Sequence, residues 1–86
     1  MPFRVLLTPE AELETTEILT NAVDRNAIMA DFRDVSHRLR KQPLEVGESR
    51  ESEFQRVMFV GSLLASYLVD QATNTVFVFR VRKRPE

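Results

Sequence analysis

The run Thr75-Val76-Phe77-Val78-Phe79-Arg80-Val81-Arg82 constrains this chain more than any other segment. Its β-branched and aromatic residues read as a strand, and side chains on a strand alternate sides with a period of two. One side carries Phe77, Phe79 and Val81; the other carries Val76 and Val78 and ends on Arg80 and Arg82. Both sides are therefore apolar for most of the run, yet a two-layer domain covers only one side of its sheet. A helix layer has to cover one side. A partner, a second copy or the chain's own long loop has to cover the other. Continued extension past the run puts Arg84 in line with Arg80 and Arg82, next to Lys83. Guanidinium groups stay charged, and their planar forks suit phosphate or carboxylate. The plainer reading of the same basic end is a solvated strand that protects a sheet edge.

Upstream, Phe3-Arg4-Val5-Leu6-Leu7 reads as a short strand, and Thr8-Pro9-Glu10 as a helix start. Thr8 can cap, proline suits the first helical position, and Glu10 and Glu12 lie at the positive end of the helix dipole. Ala11, Thr15, Ile18 and Ala22, with Leu19 beside them, form a weak apolar stripe. Asp24-Arg25-Asn26 marks a break and a new cap. After it, Ile28, Phe32, Val35 and Leu39 recur at helical spacing, and Pro43 ends the helix. Residues 42–53 read as a polar loop. Phe54–Val60, Leu63–Val69 and Thr75–Arg82 read as three strands joined by short turns, Gly61-Ser62 and 70–74, hence an antiparallel meander. The expected class is α+β, in the order β-α-α-β-β-β. A helix hairpin should lie on one side of an antiparallel-rich sheet, with the first strand beside the last. On this reading Ile28, Phe32, Val35 and Leu39 face Phe77, Phe79 and Val81, and Val76, Val78, Met58 and Val60 line the uncovered side. Phe3, Phe54, Phe59, Phe77 and Phe79 are expected in the core.

At 86 residues the chain is one domain, 1–86. With no cysteine, disulfides and thiolate metal sites are excluded, and a cytoplasmic location is expected. No apolar run approaches the length of a membrane span, and Met1-Pro2-Phe3-Arg4 does not open a signal peptide. The net charge of −1 hides a division: Glu10, Glu12, Glu14, Glu17 and Asp24 fall in a stretch with no basic residue, and the C-terminal end is basic. The total argues against nucleic-acid binding; the local cluster keeps it open.

Several short motifs, in order, resemble the RelE/ParE superfamily of bacterial toxins. Val5-Leu6-Leu7-Thr8-Pro9-Glu10-Ala11 is similar to its opening strand and helix start. Leu39, Pro43 and Gly47 are similar to its exit from the second helix. Val60-Gly61 with Tyr67-Leu68-Val69-Asp70 is similar to its middle hairpin, and Val76-Phe77-Val78 through Lys83-Arg84 to its last strand and basic end. The resemblance implies the toxin-like component of a type II toxin–antitoxin (plasmid stabilisation) system, with a cognate antitoxin as partner. It implies either ribosome-dependent cleavage of messenger RNA or inhibition of DNA gyrase as the activity. The alternatives are a non-enzymatic interaction module and a small homodimeric structural domain. The chain departs from the family at Leu63-Leu64-Ala65, where an arginine is common, and it ends at Glu86 without the C-terminal tyrosine of many members.

Arg56 and Arg84 match basic positions of the family and are the catalytic candidates. Arg56, Arg80, Arg82, Lys83 and Arg84 are the nucleic-acid-binding candidates. Convergence of Arg56, Arg82 and Arg84 on one phosphate would support nuclease chemistry; dispersal would support binding. His37, the only histidine, falls opposite the apolar stripe of its helix and is expected in solvent. Without a second histidine or any cysteine no metal site is expected. No motif calls for a cofactor, and none of the serines sits in a nucleophile motif.

Overall fold

Caps and turns set the element boundaries. The computed structural model describes residues 2–50 and 52–84, so Glu51 of the polar loop and Pro85 and Glu86 of the basic end lie outside the described residues. The elements are β1 (Arg4–Leu7), α1 (Pro9–Thr20), α2 (Arg25–Lys41), β2 (Glu48–Arg50), β3 (Ser52–Val60), β4 (Leu63–Asp70) and β5 (Thr75–Lys83). Thr8 Oγ1 accepts from the Ala11 amide at 3.2 Å, and Pro9 opens α1. Asp24 Oδ1 accepts from the Ala27 amide at 3.1 Å and starts α2, whose last turn holds Arg38, Arg40 and Lys41. Each cap satisfies a helix amide that would otherwise lack a partner. Among the described residues, no helix is long and apolar enough to cross a membrane.

The sheet is five-stranded, in the order β1-β5-β4-β3-β2. β1 runs parallel to β5, as the long connection through both helices and the intervening strands allows, and the remaining pairs are antiparallel. The fold is thus α+β with a mixed sheet, and β1 lies beside β5 as expected. α2 packs against β1, β3 and β4, and α1 runs mainly along β5. Beyond the end of β1, α1 takes its place at the side of β5: the Thr8 amide donates to the Val78 carbonyl, and the Val81 amide donates to Glu14 Oε1 at 2.8 Å. An edge amide that would face solvent is closed by a carboxylate from the helix.

The core lies between α2 and the sheet, and its fully buried members include Leu39, Met58, Leu63, Tyr67 and Val76. At about 1.5–3 kcal/mol for each fully buried large apolar side chain, this side supplies most of the hydrophobic stabilisation. Pairing along β5 revises the expected sides. Val78 pairs with Tyr67 and Arg80 with Ser66, leaving Phe79 as the extra residue of a β-bulge. Val76 and Val78 before the bulge, and Val81 after it, are buried in the core; Phe77 and Phe79 are not. The expected facing of α2 on Phe77 and Phe79 is therefore incorrect, although Val81 does face it. Val76, Val78, Met58 and Val60 do not line the open side but are all buried in the core. Of the aromatic residues expected inside, Phe59 is 48% exposed, and Phe3, Phe54, Phe77 and Phe79 are only partly buried.

Residues 42–53 are not all loop. Glu48–Arg50 forms β2, which extends the sheet beyond β3 with an irregularity at Ser49/Arg50. The β3–β4 turn is held from α2: Asp31 Oδ2 accepts from the Ser62 amide and hydroxyl, both at 3.1 Å. Gly61, in this turn, has φ +55°, and a Cβ there would collide with the Asp31 carboxylate. Both the backbone angle and the close approach require glycine.

Candidate functional site

The alternation that buries Met58, Val60, Leu63, Ala65 and Tyr67 under α2 turns their neighbours along β3 and β4 outward. With no helix on that side, the sheet presents Phe59 of β3 and Leu68 of β4 to solvent, and Leu6 of the flanking β1 is also exposed. After the bulge, the exposed Arg80 pairs with Ser66 and the exposed Arg82 with Leu64, so the arginine row shares this side. Arg84 follows: its amide donates to the Ser62 carbonyl at 2.7 Å, and Nη1 donates to the Gly61 carbonyl at 3.2 Å. Its guanidinium carbon lies 4.7 Å from the centroid of the Phe59 ring, a cation–π contact at a solvent-exposed site.

Arg56 is elsewhere. It pairs with Tyr67 on the side that faces α2. Its Nη1 donates to Ser49 Oγ at 3.0 Å and its Nη2 to the Gly47 carbonyl, so the guanidinium holds the segment between α2 and β2. Tyr67 anchors the same segment from below, donating from its hydroxyl to the Pro43 carbonyl at 2.6 Å. Burial raises the Tyr67 phenol above its ordinary value, and the hydrogen bond and charge of Arg56 offset part of that rise. Gly47 passes over this pair so closely that a Cβ would overlap the Tyr67 hydroxyl and lie 2.9 Å from the Val57 carbonyl.

The structure therefore aligns Arg80, Arg82 and Arg84 along the open side of the sheet and ties the Arg56 guanidinium to Gly47 and Ser49, although Arg56 and Arg80 border one cleft. Lys83, between Arg82 and Arg84, is exposed and lines a shallow cleft with Glu14, Glu17, Ile18 and Arg82. His37 is exposed on α2, as expected from its position relative to the apolar stripe.

Two residues of this surface were missed in the sequence. Glu14 reads there as one of several solvated carboxylates, but one oxygen caps Val81 and the other lies 4.0 Å from Arg82 Nη2. Phe59 reads as core; it carries the Arg84 contact. The four-residue spacing of Glu10 and Glu14 was an available signal for the first. None marked the second.

No family model matches the sequence, and no curated protein matches it. Solved structures do. The toxin–antitoxin complex RelBE2 of Mycobacterium tuberculosis contains a chain that aligns with all of this one and 95% of its own length, at TM-score 0.79 and 23% identity. The isolated RelE toxin of E. coli aligns over 98% of this chain and 86% of its own, at TM-score 0.73 and 14% identity. The chromosomal ParDE system of P. aeruginosa supplies a third, over 96% and 97%, at TM-score 0.71 and 12% identity. The chain has the RelE/ParE toxin fold. Within that fold its open sheet face, bounded by α1, carries the arginine row and the exposed apolar side chains. Arg56 and Tyr67 serve the opposite side.

Proposed function

We propose that this chain is the toxin-like component of a type II toxin–antitoxin system, acting in the cytoplasm by binding a protein partner and not by cutting RNA. The observation that carries this reading is the dispersal of the candidate residues. Arg56 is engaged with Gly47 and Ser49, and Arg84 stacks on Phe59 on the other side of the sheet. Arginines stabilise a developing oxyanion but do not accept a proton near neutral pH. A ribose 2′-hydroxyl needs a base. Tyr67 is buried and donates to Pro43, and His37 projects from the exposed surface of α2. General acid–base assistance accounts for about 10²- to 10⁴-fold, so cleavage without it is expected to be weak. The exposed apolar side chains beside the arginines fit a protein surface, and likeness to RelBE2 and ParDE supports an antitoxin as the partner.

Expression of the chain alone, and with an antitoxin-sized reading frame if one adjoins its gene, tests this. The expected result is a stable complex of the two proteins, little growth inhibition by the chain alone, and little ribosome-dependent cleavage of messenger RNA. Strong cleavage that disappears in Arg84→Ala would overturn the non-catalytic reading. Strong toxicity that persists in the Arg56→Ala/Arg82→Ala/Arg84→Ala variant without cleavage would favour a protein target such as DNA gyrase.

A further inference from the structure

A cleft of ≈ 650 Å³ opens between α1 and the open side of the sheet, lined by Glu10 and Glu14 on the helix and by Gln55, Arg56, Val57, Ser66, Phe79 and Arg80 on the strands; the Arg56 guanidinium there is already engaged by Gly47 and Ser49. Its two walls have opposite charge. Glu10 and Glu14 are one helical turn apart, and Glu17 continues the acidic wall toward Arg82 and Lys83. The floor presents Arg80, with Arg82 and Arg84 following it along β5. Between them lie apolar surface, from Val57 and Phe79, and the Ser66 hydroxyl.

We propose that this cleft binds a protein segment bearing both charges, with a basic side chain against Glu10 and Glu14 and an acidic one against Arg80 and Arg82. The inference rests on the reading that the chain acts through a protein partner, and it specifies the chemistry of that partner. A phosphodiester strand is a poor fit for the same place. It would gain the arginine row but would bring its negative charges past the α1 carboxylates, one of which is 4.0 Å from Arg82. Affinity for a nucleic-acid backbone grows with the number of phosphates neutralised, and each carboxylate in the path subtracts from that number. A segment of mixed charge gains at both walls and covers the apolar strip, and like charge placed against either wall is rejected.

Selection from a random dodecapeptide phage library on the immobilised protein, with a 12-mer of oligouridylate as the nucleic-acid probe, tests the proposal. Wild-type protein is expected to enrich peptides that carry both a Lys or Arg and an Asp or Glu, and to bind the oligonucleotide weakly. Glu10→Gln/Glu14→Gln keeps an oxygen to accept from the Val81 amide; it should remove the enrichment for basic residues and tighten oligouridylate binding by about tenfold. Arg80→Gln should remove the enrichment for acidic residues. If the first variant misfolds by circular dichroism, Glu10→Gln/Glu17→Gln leaves the Val81 cap untouched and carries the same expectation. Enrichment of peptides of a single charge sign, or oligouridylate affinity unchanged in both glutamine variants, would overturn the proposal. Selection uses no toxicity readout, so bipolar enrichment by a chain that proves harmless and has no antitoxin supports the cleft while the toxin–antitoxin reading fails.

Discussion

On the α2 side of the sheet, Met58 is 2% exposed and Tyr67 0%; one residue along the same strands, on the other side, Phe59 is 48% and Leu68 42% exposed. The two sides draw on similar residue types. They differ in what lies above them, a helix layer on one and solvent on the other. Apolar side chains under α2 stabilise the monomer because folding removes them from water. Those on the open side gain much less from folding, and clustered exposed apolar surface with charges at its margin is the usual mark of an interaction face. Charge follows the same division. Arg56, the arginine on the α2 side, is tied to Gly47 and Ser49, whereas Arg80, Arg82 and Arg84 line the open side.

The largest effect that would test this contrast is the removal of a core side chain. Leu39→Ala should cost about 2–5 kcal/mol in denaturant unfolding, whereas Phe59→Ser, which gives up a half-exposed ring and its contact with Arg84, should cost about 1 kcal/mol or less. Equal losses would erase the distinction between the two sides.

Gly61→Ala should come next. It places a Cβ on a positive-φ residue against the Asp31 carboxylate, and a loss beyond about 1 kcal/mol is expected. Asp31→Ala/Gly61→Ala removes the collision, so a double-mutant cycle should show the two losses to be non-additive. Strict additivity would mean that Asp31 does not hold the turn from α2.

Tyr67→Phe should cost about 1–3 kcal/mol, because the Pro43 carbonyl loses its donor beneath the α2–β2 segment. Burial raises the folded value of this phenol, so its contribution to stability is complete below the unfolded value of about 10 and is lost as pH climbs through the folded one. Unfolding measured from pH 8 to 11 should show wild-type stability falling above about pH 10, with a shallower fall in Tyr67→Phe. Identical slopes would assign the alkaline loss to other groups.

The smallest effect concerns the open side alone. Light scattering across a concentration series should show weak self-association of the isolated chain that is reduced in Leu6→Ser/Phe59→Ser/Leu68→Ser, with unfolding shifted little. A strictly monomeric wild type would show that this side has no tendency to pair with a second copy.

Element order and most boundaries were legible in the sequence because their signals are local. Thr8 and Asp24 cap amides three residues away, Pro9 and Pro43 bracket the helices, and the spacing from Ile28 to Leu39 marks the helix face that meets the sheet. The position of β1 beside β5 was legible too, together with the arginine row and the uncovered second side. What the tertiary structure alone decided depends on pairing between distant parts of the chain. The bulge at Phe79 exchanges the two sides of β5, and no residue within the strand announces it. It arises from register with Ser66 and Tyr67, and the amide of Val81 just beyond it is closed by Glu14, 67 residues earlier in the chain. β2 exists because β3 offers it an edge, and the Arg56 guanidinium is engaged by the Gly47 carbonyl and Ser49. Periodicity along one strand states that two sides differ. Which of them is covered, and where the alternation slips, is settled by hydrogen bonds to other strands and by the helix packed against them.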